Sequence, residues 1–401
     1  MPSLEEFLAS IGEEIHDAEE GLGMQISLEN TYDSGPCERS LQVAAESFLL
    51  FSRDIPSANL GFVDSRTATV ELTIHGQDFS IHQSPTLLSS ARAGGTTGAV
   101  LWKITPRFAE WISSRNHNPF WESSILTSSS AVVELGCGIS GLVALALGPC
   151  VGHFIATDQE YVHRLFKENI ENNAAAAYQL SHHHHHRNSS YRHGPPRQQQ
   201  QKKLHSAGGK TRAGKRSANS SSSSNSSSNE GSHSLTNVTF TALDWELDVP
   251  ETLKDTIKQE NPSASGSEIG QDSDNDDDNG DDDKKDRGFD LLISCDCIYN
   301  EALVPPFVRT CADICRLRPP YDPTTLSLDL ETTSPRRRPT VCVIAQQQRS
   351  PDVFETWLRE TLREFHVWRL SDDVLGDGLK AGTGYVVHAL VLRSDARDGR
   401  R

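Results

Sequence analysis

AVVELGCGISGLVALAL (131–147) is the stretch on which the fold turns. A short, mainly apolar run ends at Leu135, three glycines fall at 136, 138 and 141, and an unbroken series of good helix formers follows. A strand that passes through a glycine turn straight into a helix opens a βαβ unit. Glycine suits the turn because the chain must reverse sharply and let a ligand approach its backbone. A lone glycine fingerprint of this kind also marks dinucleotide sites, and it can be purely structural. Two acids narrow the reading. Glu134 stands two positions before Gly136, where a carboxylate can bond the turn or meet a cationic amino-acid moiety but would repel a pyrophosphate. Asp158 ends the next apolar run, HFIATD (153–158), where an acid can accept both ribose hydroxyl protons.

Outward from this unit, strand and helix alternate. Helices are predicted at Gly141–Leu147, Tyr161–Asn172, Glu251–Gln259, Leu303–Leu317 and Pro351–Phe365. The further strands are VTFTALDW (238–245), FDLLISC (289–295), TVCVIAQ (340–346) and, at the end, HVWRL and GYVVHALVLR. Seven strands alternating with helices imply an α/β, Rossmann-like sheet covered on both faces. Ahead of it, TATVELTIHGQDFSIHQ (67–83) alternates apolar and polar residues about Gly76 and reads as a β-hairpin. VLWKITPRFAEWI (100–112) reads as a helix that packs on the sheet. The organisation expected is an N-terminal segment over 1–66, partly helical, and one domain over 67–401.

Three polar stretches, 181–234, 262–288 and 319–339, interrupt that domain. They hold few large apolar side chains, too few to offset the entropy of ordering, and read as disordered. Each falls between a helix and the next strand, hence at the amino ends of the strands, opposite the face where ligands bind. His182 to His186 read as low-complexity drift within the first of them. The region from Arg187 to Arg216 carries nine Lys and Arg and no acid, so with a net charge of −17 the remainder is still more acidic. Such a surface either favours basic partners over nucleic acid or does no more than keep the protein in solution, and weak contact of the basic stretch with RNA stays open.

The acidic N-terminus lacks a secretory pattern, and no apolar run approaches a membrane span. A soluble, monomeric protein of the cytoplasm, with the nucleus also open to it, is expected. Eight cysteines, several inside apolar runs, fit a reducing compartment. Cys295 and Cys297, with Cys311 and Cys315, alternate along a strand and then share a helix face, which is core behaviour and not a zinc pattern. Asn237-Val238-Thr239 matches a glycosylation sequon, which carries no meaning without secretion.

The third strand ends in Leu243-Asp244-Trp245, where a ring can stack on adenine and an acid can accept from its exocyclic amine. The fourth delivers Asp296 just where its apolar run stops, with Tyr299 three residues on. An amine that is to be alkylated must lose its proton and point its lone pair, so a carboxylate and a phenol suit that place. A helix-capping Asp with Tyr in the core reads the same residues structurally.

Taken together, GxxLWK around Trp102, ELGCGISGLV from Glu134, ATD ending at Asp158, the helix with Asn169 and Asn172, LDW ending at Trp245 and DCIY from Asp296 resemble the seven-β-strand lysine methyltransferases of methyltransferase family 16. The hairpin with IHQSP, GGTTGAVLWK and AQQQRSPDVFETWL (345–358) look most like the fungal ribosomal lysine N-methyltransferase 5 group. This resemblance implies S-adenosylmethionine as cofactor, lined by Trp102, Glu134, Gly136, Gly138, Asp158, Trp245 and Cys295. It places Asp296 and Tyr299 against the acceptor lysine and makes a basic large-subunit ribosomal protein the substrate. Ser140 departs from the family by standing where related enzymes often have glycine, which leaves close packing to Gly141. Methylation of a small molecule, RNA or another protein on the same fold stays open, as does a non-catalytic cofactor-binding interaction protein.

Overall fold

The structure, a computed structural model, describes residues 2–15, 37–55, 61–90, 95–187, 234–257, 288–321 and 338–394. Eight strands form one sheet: β1 (Gly12–Ile15), β4 (Ala131–Leu135), β5 (His153–Asp158), β6 (Val238–Ala242), β7 (Leu291–Cys295), β8 (Val341–Gln347), β9 (Phe365–Leu370) and β10 (Tyr385–Leu392). Their spatial order is β1-β9-β10-β8-β7-β4-β5-β6. From β8 to β6 every pairing is parallel, and β10 runs antiparallel to both of its neighbours. All residues of β4 and β7 are buried, which is why both read as apolar runs without alternation.

The connectivity places a site. The chain steps from β4 outward through β5 to β6, then returns to lay β7 on the other side of β4. Where the winding reverses, the connections diverge and leave a crevice beyond the carboxyl ends of β4 and β7.

Helices cover both faces. One layer contains α1 (Leu4–Ile11), α4 (Ile104–Ser113), α6 (Leu142–Leu147) and α7 (His163–Arg187); the other contains α8 (Val304–Cys315), α9 (Pro351–Glu364) and part of α2 (Cys37–Phe51). Three short helices, α3 (Pro85–Leu88), α5 (Pro119–Glu122) and α10 (Asp372–Leu375), fill corners. On α9 the buried residues are Phe354, Trp357, Leu358, Thr361 and Leu362, one stripe of a 3.6-residue repeat. On α4, Ile104, Phe108 and Ile112 are buried one turn apart, each worth roughly 2 kcal/mol of burial. Cys311 and Cys315 lie in the α8 core face and Cys342 in the strand beneath it. Asn237, the sequon residue, donates to the carbonyls of Gly148 and Val151 (2.8 and 2.9 Å) and so anchors the start of β6.

β2 (Thr69–Ile74) and β3 (Gln77–His82) form the expected hairpin. Both turn residues, His75 and Gly76, have positive φ (48° and 80°), the backbone of a turn that matches strand twist. Two asparagines one turn apart on α7 dock its free edge. Asn169 accepts from His82 N–H and donates to its carbonyl (2.8 Å each), and Asn173 does the same for Ser80 (2.9 and 3.0 Å). The helix thereby covers an edge that would otherwise pair with another chain.

Three elements differ from expectation. The sheet has an eighth strand, because Gly12–Ile15 of the N-terminal segment pairs with β9, and α1 packs into the core. GEEI has a single large apolar residue and gives no strand pattern; β9 side chains hold it, with Arg369 on Glu13 (2.9 Å) and His366 on Glu14 (3.2 Å). Helix α7 runs to Arg187 instead of Asn172, so its backbone includes His182 to His186 and the start of the first polar stretch. The helix expected at Glu251–Gln259 is a 3₁₀ turn over Pro250–Thr256. The rest of the three polar stretches lies largely outside the described residues. Among the described residues no helix is long and apolar enough to cross a membrane.

Candidate active site

A cavity of about 530 Å³ lies at the carboxyl ends of β4, β5, β6 and β7. It is large enough for a small molecule. Its floor is the turn after β4, where Gly136, Gly138 and Gly141 all have positive φ (71°, 61° and 55°). A Cβ on Gly136 would collide with the Cys297 thiol, and one on Gly138 would press on the Gly98 carbonyl at 3.3 Å. Gly141 does take the close-packing role: a Cβ there would meet the Phe166 ring on α7 at 2.8 Å. The loop holding Thr97 and Gly98 straps the turn from above, with Ile139 N–H donating to the Gly98 carbonyl (2.9 Å).

Asp158 closes the β5 side. Its carboxylate accepts from Gly138 N–H (2.8 Å) and Gln159 N–H (2.7 Å) while facing the cavity. Burial pushes its pKa up to about 6, against the lowering effect of those two N–H groups. A carboxylate has about four lone-pair sites, so acceptor capacity remains for a ligand's hydroxyls. Asp244 and Trp245 line the β6 side. Asp244 accepts from Glu246 N–H (2.9 Å) in a tight turn, and the Trp245 ring rests edge-on against Phe307 at 5.0 Å.

Glu134 occupies a different place from the one expected. It is 2% exposed, is not among the residues lining the cavity, and its Oε2 has no hydrogen-bond partner. Burial, and then the charge of Asp158, pushes its pKa up to about 8. An uncompensated buried carboxyl group beside a second one fits a cationic ligand, which would lower the cost of ionising both.

On the β7 side, Cys295 and Trp102 line the cavity as expected, with the Cys295 thiol 4.0 Å from the Thr105 hydroxyl. Asp296 also reaches the wall, but its carboxylate is engaged. Arg349, from the β8–α9 loop, forks onto it at 2.7 and 2.5 Å, and Gln347 N–H adds a bond at 3.2 Å. Asp296 sits at φ 64°, a strained position for a residue with a Cβ. Tyr299 is 38% exposed at the mouth, and its hydroxyl accepts from Thr97 Oγ1 (3.2 Å). Burial raises its pKa, so it stays a neutral phenol. Thr97, Gly98, Tyr161 and Cys297 also line the cavity, and Arg349 borders it through Asp296. Thr97, Gly98, Cys297 and Arg349 fall within motifs that the sequence analysis names, but their place at the cavity does not follow from those motifs, and Cys297, expected in the core, lines the cavity instead.

Four carboxylate side chains, Asp158, Asp244, Glu246 and Asp296, line this cavity, and no Lys, Arg or His does so among the described residues.

Residues 82–187 match the family described as lysine methyltransferase. Among curated proteins, the chain is 44% identical over 107 residues to a ribosomal lysine N-methyltransferase 5 of Zygosaccharomyces rouxii, covering 24% of this chain and 34% of that one. It is 29% identical over 157 residues to the protein of the same name in Vanderwaltozyma polyspora, 32% of this chain and 48% of the other. It is also 35% identical over 118 residues to a diaminohydroxyphosphoribosylamino-pyrimidine deaminase of Schizosaccharomyces pombe, 29% of this chain and 28% of that protein. These matches span between about a quarter and a half of each relative. The segment that carries the hairpin edge, the glycine turn, Asp158 and α7 is thus matched by the lysine methyltransferase family that the sequence motifs resemble.

Proposed function

We propose that the protein is an S-adenosylmethionine-dependent protein-lysine N-methyltransferase whose substrate is a basic protein of the large ribosomal subunit. The observation that carries this reading is the charge of the cavity: Asp158, Asp244 and Glu246 line it with no Lys, Arg or His among the described lining residues, while the fourth lining acid, Asp296, is paired with Arg349. Such a site repels the pyrophosphate of a dinucleotide and the backbone of a nucleic acid, and it attracts a cofactor and an acceptor that are both cationic. The family match and the names of two relatives agree with it.

The residues present fit that cofactor. Asp158 has acceptor capacity for ribose hydroxyls, Trp245 offers an aromatic face at the third strand tip, and the bare glycine backbone allows close approach. Trp102 and Cys295 complete the lining, and Glu134 behind the wall is a buried acid whose ionisation a cationic ligand would favour. S-adenosylmethionine, when bound, supplies a methyl group already activated on a sulfonium. The protein's task is then to present an uncharged amine in line. Tyr299 suits it: Thr97 fills one lone pair of its oxygen, and the other can receive an amine N–H at the mouth. Desolvation at the mouth favours the neutral amine over the ammonium ion, whose proton passes to solvent.

The test is incubation of the protein with methyl-labelled S-adenosylmethionine and isolated large-subunit ribosomal proteins. Label in a basic protein, mapped to methyl-lysine by mass spectrometry, is expected. Label in RNA or small molecules alone, or in nothing, overturns the proposal.

A further inference from the structure

Five residues close a ring around the mouth of the cavity. Tyr299 receives the Thr97 hydroxyl (3.2 Å), and the Thr97 carbonyl receives Trp102 Nε1–H (3.1 Å). The Arg349 guanidinium lies over the Trp102 ring at 4.6 Å and forks onto Asp296 at 2.7 and 2.5 Å. Asp296 returns to Tyr299 through the two residues between them, Cys297 and Ile298. The side chain of Asp296 is 2% exposed and that of Arg349 23%, so the arginine caps the acid. Gln347 supports both partners, its N–H on Asp296 (3.2 Å) and its Oε1 beneath Arg349 (3.2 Å).

We infer that Arg349 is a positioning residue of the acceptor side, which by pairing with Asp296 holds the 296–299 segment so that Tyr299, and not the Asp296 carboxylate, meets the acceptor amine. The inference rests on the methyltransferase reading for its chemistry but on geometry alone for the placement of Tyr299. A fork of two parallel N–H···O bonds fixes orientation as well as distance, which a single contact does not. It also leaves the pair neutral. A free carboxylate would hold the acceptor as a tightly bound ammonium ion, which has no lone pair to attack with. A satisfied pair leaves the phenol as the polar group at the mouth. Removing the arginine strands a buried charge, which is far more disruptive than removing both charges together.

That asymmetry supplies the test. 3-Fluorotyrosine is placed at position 299 and read by ¹⁹F NMR in the parent, in Arg349→Met, in Arg349→Lys, and in the double variant Arg349→Met with Asp296→Asn. A single parent resonance should shift and broaden in Arg349→Met, recover in part with lysine, and recover further in the double variant. In methyl transfer, Arg349→Met should lose about 100-fold in kcat, the scale of a misplaced reacting group, with S-adenosylhomocysteine affinity within about threefold of the parent. The double variant should regain about tenfold of that loss, the share due to the stranded charge. An unchanged fluorine resonance in Arg349→Met overturns the inference whether or not the protein transfers methyl groups. So does a double variant as inactive as Arg349→Met with an equally displaced resonance, which is what a proton-accepting Asp296 would give. A parent that transfers nothing while its fluorine series behaves as stated defeats the methyltransferase reading and leaves the positioning role standing.

Discussion

On the β4–β5 side of the cavity the backbone itself makes the shape, whereas on the β7–β8 side five residues make it, joined by side-chain bonds, the Thr97 carbonyl and the short chain from Asp296 to Tyr299. The first side consists of glycines with positive φ and N–H groups bonded to Asp158, all within one βαβ unit. The second joins residues 202 positions apart at Thr97 and Tyr299 and 53 apart at Asp296 and Arg349. A backbone surface has no rotamers to adjust, so any added atom is felt at once. A ring of side chains can relax around a conservative change but fails when a charge loses its partner. Binding should therefore break on one side and turnover on the other.

Gly136→Val tests the rigid side hardest. The new side chain must occupy the place of the Cys297 thiol from a backbone at φ 71°, which a β-branched residue strongly disfavours. Loss of measurable S-adenosylhomocysteine binding by calorimetry is expected in a protein that still folds by circular dichroism. Binding within threefold of the parent would show that the turn is not the floor of the site.

Asp158→Ala is the next step down. It removes a charged acceptor and leaves Gly138 N–H and Gln159 N–H without their partner. Hydrogen bonds to a charged group are worth roughly 2 kcal/mol, so S-adenosylhomocysteine should bind about 30-fold more weakly. Unchanged affinity by calorimetry would remove Asp158 from the site.

Glu134 gives a pH dependence with a defined sign. Its folded pKa is about 8, raised by burial and then by Asp158, against an ordinary value of 4.5. The unfolded chain ionises it first, so its contribution to stability is fully present below 4.5 and is lost as pH rises through 8. A cationic ligand beside Asp158 opposes that loss. S-adenosylhomocysteine, which retains the amino-acid ammonium, should therefore raise the melting temperature more at pH 8 than at pH 6, and Glu134→Gln should remove the difference. An equal shift at both pH values in the parent would mean that the orphaned carboxyl group does not sense the ligand.

What could be read from the residues alone follows the same division. AVVEL, the glycine turn and Asp158 form one local unit, and the strand, turn and cavity wall appear where the pattern places them. The hairpin was legible for the same reason, since alternation and the turn at Gly76 are local. Strand β1 was not, because GEEI becomes a strand through the charges of Arg369 and His366, more than 350 positions away. Arg349 was present in a motif that could be quoted, yet nothing near it in sequence says that it faces Asp296. Asp296 accordingly looked like a free carboxylate, and Glu134 like part of the cavity lining, when one is paired and the other lies behind the wall.

Thr97→Val is the mildest probe and the one that best separates the two sides. It keeps the shape of the side chain and the carbonyl that receives Trp102 Nε1–H, and it deletes only the hydroxyl that donates to Tyr299. A neutral hydrogen bond at a partly exposed site is worth about 1 kcal/mol, so the phenol should lose orientation by that amount and turnover should fall about fivefold. Affinity for S-adenosylhomocysteine should not move, because the glycine turn and Asp158 are untouched. If instead affinity fell and turnover at saturation held, Thr97 would belong to the rigid side, and the line between a backbone-built half and a side-chain-built half would have to be drawn elsewhere in the cavity.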